Sequence, residues 1–153
     1  MKNQLFVPLA LLAVGFITLA QPAMAQDYSN IRIVRLSFVE GSVQYQRLGQ
    51  DWQDARLNLP IQEGFTIRTA DGYAEVEFED SLTLRLATNA IVEFTGLALQ
   101  NGGRVTRVTI PQGTAIISAK IRRGDAVTVA AADLSINVPR NGRFRVDVSP
   151  SNS

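Results

Sequence analysis

The sequence of 153 residues contains neither cysteine nor histidine. Histidine is the side chain whose ordinary pKa lies closest to neutral pH, and the cysteine thiolate is a strong nucleophile and a ligand of soft metals. Their absence removes the residues most often used for proton transfer, nucleophilic attack and zinc binding. It also excludes disulfides, so packing must stabilise the fold. We therefore expect a protein that is not an enzyme and uses no cofactor.

The chain also lacks an excess of one charge, since it contains 15 Lys and Arg residues and 14 Asp and Glu residues. Proteins that bind nucleic acid gain most of their affinity by neutralising phosphates with clustered basic residues. The balanced composition therefore argues against a nucleic-acid partner.

Long apolar runs are absent except near the N-terminus, where residues 5–20 follow a basic start. The basic start and the apolar run, followed by the small residues Ala23 and Ala25, are typical of a secretory signal peptide with a leader-peptidase site. A retained membrane anchor is the alternative, but the run is shorter than the ~20 residues that a bilayer requires, and Pro8 interrupts it. We predict a signal peptide over residues 1–25, cleavage after Ala25, no membrane anchor after cleavage, and a periplasmic or secreted product.

Alternation of apolar and polar residues is clearest in the stretch 63–86. Val76 and Phe78 would face one side of an extended chain, and Leu82 and Leu84 would resume that face after a turn. The stretch therefore predicts a hairpin with these four side chains in the core. The carboxylates between them should point outward: Glu75, Glu77 and Glu79.

Turn signals recur roughly every ten residues along the chain, and β-branched residues are plentiful. This rhythm predicts an all-β fold, a single small domain of short strands and tight turns arranged as a β-roll, a sandwich or a solenoid-like structure. We assign residues 26–35 to an N-terminal lead-in and residues 36–150 to the β domain.

Three turn signals shape the expected strand order. Asp-Gly at 71–72 and Asn-Gly-Gly at 101–103 both predict tight hairpins, because these residues adopt positive φ easily. Pro-Gln-Gly at 111–113 predicts a third turn, which would separate a strand over 104–110 from a strand over 114–121.

Trp52 is the single tryptophan of the chain. We expect residues 48–62 to form a loop that folds back and places Trp52 on the core as a lid. The alternative is an exposed platform on which a ligand stacks, with Tyr45 and Tyr73 nearby, because aromatic rings serve both purposes.

Two polar groupings could carry chemistry. Ser118 and Lys120 would share one face of a strand and could form a serine–lysine dyad, although no recognisable motif surrounds them. The second grouping is a set of carboxylates at alternate positions of a strand, which do not surround an ion. We therefore expect a solvated acidic face, and a calcium site is the weaker alternative. We therefore expect no catalytic or metal site. The acidic positions are Glu75, Glu77, Glu79 and Asp80.

Arginine is unusually frequent relative to lysine, since 13 arginines and only Lys120 remain once Lys2 is removed with the leader. Arginine is enriched at protein interfaces and binds carboxylates with two parallel hydrogen bonds. We consider an arginine-bearing interface, with ordinary cross-strand ion pairs as the alternative. The positions lie beside Phe144 or close to turns: Arg143, Arg145, Arg104, Arg107, Arg122, Arg123 and Arg140.

Several short motifs follow one another over about residues 36–148: Gly41-Ser42-Val43, Trp52, Glu63-Gly64-Phe65-Thr66-Ile67-Arg68-Thr69, the hairpin sequence 74–86, Pro111-Gln112-Gly113 and Phe144-Arg145-Val146. Each is weak alone, but their order and spacing resemble the FecR domain family. Two positions depart from the family's pattern. Phe65 stands where aspartate is common, and Ser81 follows Asp80 without the usual glycine.

The resemblance implies a periplasmic sensing module. FecR domains are best known from membrane-spanning anti-sigma regulators of iron–siderophore uptake, where the domain meets the signalling domain of an outer-membrane transporter. The predicted leader would stand in place of the sigma-binding segment and membrane helix, so we expect a stand-alone exported member of the family. We expect signalling through protein–protein interaction, with another cell-envelope protein bound at a strand edge or an arginine-bearing face. A carbohydrate or small-ligand binding module built on Trp52 is the alternative.

Export and cleavage can be checked on the product itself. Expressed with its own leader in a bacterial host, the chain should reach the periplasm or the medium with Gln26 as its first residue, as measured by intact-protein mass spectrometry. Ala25→Arg should block processing, because the leader peptidase requires small residues at the site. Exported wild-type protein that keeps residues 1–25 would contradict the prediction.

Overall fold

The structure is a computed structural model that describes residues 32–79 and 82–149. The predicted leader, most of the lead-in and the pair 80–81 lie outside these residues. Strands make up 66% of the described residues, which confirms the all-β class. The described residues form eleven strands: β1 (Arg35–Glu40), β2 (Val43–Arg47), β3 (Gln53–Asp54), β4 (Phe65–Thr69), β5 (Tyr73–Phe78), β6 (Leu82–Leu86), β7 (Ile91–Gln100), β8 (Gly103–Lys120), β9 (Ala126–Ala131), β10 (Leu134–Asn137) and β11 (Asn141–Val148).

The strands form one curled sheet, a half-barrel with two halves. Half I has the strand order β1, β5, β6, β8, β11, and half II has the order β3, β2, β4, β7, β8, β9, β10. Strand β8 belongs to both, because residues 103–112 pair with β7 and residues 113–120 pair with β11. Among the described pairs, β8–β9 is parallel and the others are antiparallel.

The core lies between the inner faces of the two halves. The predicted core residues Val76, Phe78, Leu82 and Leu84 are each at most 6% exposed, and they belong to the hairpin β5–β6. The ring of Phe78 lies 6.2 Å from the ring of Phe94 in half II. The predicted hairpin and its core face are therefore confirmed. Further fully buried side chains come from both halves: Leu36, Ile61, Ile67, Leu86, Val92, Ile110 and Val129.

The chain crosses between the halves at a corner beside Thr69. This side chain is 5% exposed. Its hydroxyl donates to the carbonyl of Ala87 at 2.6 Å and accepts from the N–H of Ala90 at 2.9 Å. The Thr69 N–H donates to the Ala90 carbonyl at 2.9 Å. One residue thereby ties the end of β4 to the β6–β7 connection and satisfies backbone groups that lie outside the strand ladders.

The Asp-Gly pair at 71–72 belongs to the same corner, so the predicted tight hairpin is wrong. Strand β4 lies in half II and β5 in half I, and the two do not pair. Gly72 is buried, and a Cβ on it would lie 2.3 Å from the carbonyl oxygen of Glu40. The Ala70 N–H donates to the Ser42 carbonyl at 3.0 Å. Glycine is required here because the β1–β2 and β4–β5 connections touch.

The predicted break at 111–113 is also wrong, because β8 runs without interruption over Gly103–Lys120. Its pairing with β7 shifts register around Pro111, and proline is tolerated at such an irregularity because no ladder hydrogen bond is required there. Gly113 bends the strand with φ 89°, and a Cβ on it would lie 2.4 Å from Ala90 Cα. The residues that suggested a turn instead carry one strand from half II into half I.

The hairpin predicted at 101–103 is confirmed. Strands β7 and β8 are joined through Asn101 and Gly102, whose φ angles are 50° and 77°. Positive φ at both central residues is the condition of a type I′ turn, and Asn-Gly meets it with little strain.

Removal of the Thr69 hydroxyl should weaken the corner. We expect Thr69→Val to lower the free energy of unfolding by about 2 kcal/mol, because the change keeps the shape of the side chain but leaves the Ala87 carbonyl and the Ala90 N–H without this partner. Urea denaturation measures the loss. The matched control is Thr66→Val on the same strand, where Thr66 is half-buried. Equal stability of the two variants would contradict the role of the corner.

Candidate functional site

A β-bulge in β1 sends an aromatic side chain to the surface. Leu36 pairs with Val76, but Phe38 pairs with Glu75, so three residues of β1 stand opposite two of β5. The extra residue reverses the alternation, as bulges do. Val39 therefore packs against the core in place of Phe38, which is 45% exposed.

Tyr73 on the neighbouring strand lies beside Phe38 and is 48% exposed. Both rings line a surface depression of about 520 Å³, together with Ser37 and Arg85. We call this the outer face of half I. The strand pairing places five of its residues in one row across the sheet: Phe38, Glu75, Arg85, Ile116 and Arg145.

Cross-strand ion pairs lie on this face, and the Glu75–Arg85 pair borders the depression. Glu75 accepts hydrogen bonds from Arg85 and, at 3.0 Å, from the Ser37 hydroxyl. The Arg85 hydrogen bond lowers the pKa of Glu75, partial burial opposes that shift, and Ser37 adds to it. Glu77 binds Arg35 at 2.6 Å. These carboxylates point outward, as alternation predicted.

Glu79 does not follow them, so its predicted outward position is wrong. Strand β5 ends at Phe78, and the Glu79 carboxylate meets Arg32, whose side chain is 4% exposed, at 2.8 Å. Arg32 also donates to the Val105 carbonyl at 2.9 Å and to the Thr106 hydroxyl at 3.1 Å. Burial alone would raise the pKa of Glu79, but hydrogen bonds from Arg32 and from backbone N–H groups lower it below its ordinary value.

The other predicted polar groupings do not form a centre. Each of the three glutamates binds a different arginine, and residues 32–79 and 82–149 hold no group of three potential metal ligands. Asp80 lies outside the described residues. Ser118 faces Thr83 and Arg143 across its neighbouring strands, and no hydrogen bond joins it to Lys120 in the described chain.

The candidate interface arginines are not brought together. Arg145 pairs with Asp147 at 2.8 Å on β11, and these mutual hydrogen bonds raise the pKa of Arg145 and lower that of Asp147. Arg104 pairs with Asp125 near the start of β9. Arg107 covers Gly96 in half II. Cross-strand and local pairs therefore account for much of the arginine content. The remaining positions are exposed: Arg122, Arg123, Arg140 and Arg143.

Trp52 does not cover the core, so its predicted role as a lid is wrong. Its ring is half-buried and lies 4.0 Å from the guanidinium of Arg68, which comes from β4. The loop does fold back, and it lines a groove of about 730 Å³ with Trp52 and Tyr45. Tyr45 is 8% exposed, whereas Tyr73 belongs to the other half. The predicted aromatic set is thus divided between two surfaces.

Sequence reasoning missed Phe38 and Arg68 as site residues. The imperfect alternation around β1 was the only signal of a bulge, and it did not indicate which residue would turn outward. Arg68 and Trp52 are distant along the chain, and their contact depends on the pairing of β2 with both β3 and β4.

Comparisons with protein-family models, with curated proteins and with solved structures gave no match. The resemblance to the FecR domain therefore stays a prediction. In the part of the chain that the structure describes, no helix has the length and apolar character needed to cross a membrane.

The Arg32–Glu79 pair should make stability depend on pH. Because the folded-state pKa of Glu79 lies below its ordinary value of 4.5, the carboxylate stabilises the fold above that pH, and this contribution is lost as the pH falls through the folded-state pKa. We expect Glu79→Gln to cost about 2 kcal/mol at pH 7, because Arg32 loses its counter-charge, and to cost less near pH 3.

Urea denaturation at the two pH values measures this change. The control is Glu77→Gln, which alters an exposed pair and should have little effect at either pH. A cost of Glu79→Gln that stays constant between pH 7 and pH 3 would contradict the assignment.

Proposed function

We propose that the chain is an exported, non-enzymatic sensing module that binds another cell-envelope protein through the outer face of half I. The observation that carries the proposal is the bulge in β1, which turns Phe38 out of the core and sets it beside Tyr73. Exposed aromatic rings with an arginine beside them are the composition of binding hot spots.

Exposure of Phe38 has a measurable cost. Full burial of a phenylalanine side chain contributes roughly 1.5–3 kcal/mol relative to exposure. If this sequence paired without a bulge, regular alternation would place the Phe38 ring on the inner face, on the same side as Leu36. Phe38 is 45% exposed and Val39 packs against the core in its place, so the fold forgoes part of that stabilisation, and burial of the ring against a partner would recover it.

The surroundings of the rings suit a protein partner. Exposed ion pairs such as Arg35–Glu77 contribute little to stability, so they can be rearranged in an interface without much loss to the fold. The Glu75–Arg85 pair borders the depression and supplies part of the polar rim that typically encloses an aromatic centre. The row from Phe38 to Arg145 crosses five strands and is about 19 Å wide at ordinary strand spacing, which is broad enough to bind a folded surface.

The resemblance to the FecR family supports the same kind of function. It implies a module that meets the signalling domain of another envelope protein. The motif at 74–86 carries much of that resemblance, and it forms β5 and β6, two of the five strands of this face. A link to a sigma factor or to iron uptake is what the resemblance implies for the signal.

Site-specific photo-crosslinking tests the proposal. A photoreactive phenylalanine analogue at position 38 or 73, in protein expressed with its leader, should trap a discrete envelope protein in whole cells. The matched control carries the analogue at Ile136 on β10, which is 42% exposed against 45% for Phe38. Crosslinks at 38 and 73 that do not exceed those at 136 would contradict the proposal.

Alanine variants give the size of the effect. Phe38→Ala and Tyr73→Ala should leave unfolding almost unchanged, because both rings are exposed. Each should weaken capture of the trapped protein by about tenfold or more, the usual consequence of truncating a hot-spot aromatic. Ile136→Ala should have no effect on capture.

A further inference from the structure

A second surface, in half II and separate from the outer face of half I, has the features of a ligand site. The loop after β2 and strand β3 enclose a groove of about 730 Å³, within the usual size of small-molecule sites. Two aromatic side chains line the groove, Trp52 and the buried Tyr45. The polar side chains of the groove include Gln44, Gln53, Asp54 and Asn58.

The Trp52 ring is held in place by a chain of contacts. Arg68 lies over one face of the ring at 4.0 Å. The Arg68 guanidinium donates two hydrogen bonds to the Gln44 side-chain oxygen, at 3.0 and 2.6 Å. The Gln44 amide nitrogen in turn donates to Asp54 at 3.2 Å. A ring fixed by its neighbours loses little conformational freedom on binding, which favours affinity.

Hydrogen bonds within the protein hold the polar side chains of the groove in place. Each of them still has a donor or an acceptor that a ligand can use. The Tyr45 hydroxyl donates to the Gln53 side-chain oxygen at 2.7 Å, which fixes the amide and leaves its nitrogen as a donor. Arg35 donates to the Asn58 side-chain oxygen at 2.7 Å with the same result. Within residues 32–79 and 82–149, neither amide nitrogen donates to a protein group. Asp54 uses one carboxylate oxygen and offers the other as an acceptor.

From this arrangement we propose that the groove binds a neutral saccharide. The C–H face of a pyranose ring is apolar and can lie on the surface of Trp52 that Arg68 does not cover. Its hydroxyls both donate and accept hydrogen bonds, so neighbouring hydroxyls match the amide donors of Gln53 and Asn58 and the acceptor of Asp54. The mixed charges of Asp54 and Arg56 give no preference for a charged ligand.

The single tryptophan makes the groove directly observable. Titration with maltohexaose, a neutral glucan, and with chitohexaose, an amino-sugar oligomer, should produce a saturable change in tryptophan fluorescence with at least one of them. The two oligosaccharides distinguish a storage-type glucan from a wall-type amino sugar as the source of the ligand. Absence of saturable binding by both up to about 10 mM would overturn the proposal.

Variants separate binding in the groove from binding elsewhere. By calorimetry, Trp52→Ala should weaken affinity for the bound oligosaccharide by about tenfold or more, since the stacking surface is lost. Asn58→Gly tests the amide independently and suits the backbone, because Asn58 has φ 64°. It should weaken binding several-fold. Tyr73→Ala, in half I, is the matched control and should bind as wild type.

Either of two results would refute the site: wild-type affinity in both Trp52→Ala and Asn58→Gly, or an equal loss in Tyr73→Ala. Both results can be measured in the absence of the protein partner proposed for half I. Failure of the saccharide proposal therefore leaves the crosslinking test of that partner unaffected.

Discussion

Hydrogen bonds at the corner beside Thr69 hold the two halves of the sheet together. The Ala70 N–H donates to the Ser42 carbonyl at 3.0 Å, and the Asn89 N–H donates to the Ala70 carbonyl at 2.8 Å. The side chain of Gln112 donates to the Asn89 carbonyl at 3.2 Å. Backbone hydrogen bonds thus join three connections, and the side chain of Gln112 ties β8 to them. The hydrogen bonds between Thr69 and Ala90 lie in the buried part of the corner, where polar groups without partners are costly.

The corner explains why the molecule offers two surfaces, one on each half. The β1–β2, β4–β5 and β6–β7 connections and the bend of β8 at Gly113 all meet at this corner, and the inner faces of the two halves enclose one core. The aromatic pair Phe38 and Tyr73 lies on half I, and the Trp52 groove lies on half II. The aromatic residues of the two surfaces do not overlap, but Arg35 contacts both Glu77 on half I and Asn58 in the groove, so binding at one surface can affect the other.

Sequence reasoning succeeded where structure depends on near neighbours and failed where it depends on distant ones. Alternation predicted the core position of Val76 because the period of a strand is local. Gly72 and Gly113 suggested turns, but each is glycine because backbone from elsewhere in the chain passes within van der Waals distance. The exposure of Phe38 was missed and the role of Trp52 was misjudged. The bulge that exposes Phe38 and the contact between Trp52 and Arg68 arise only when the strands pair.

Native-state amide hydrogen exchange tests the role of the corner most directly. Connections at a surface usually exchange through local opening, with free energies well below that of global unfolding. If the corner holds the halves together, the amides of Thr69, Ala70 and Asn89 should exchange only through global unfolding, as those of the β5 core do. Exchange of these three amides at free energies typical of exposed loops would contradict the account.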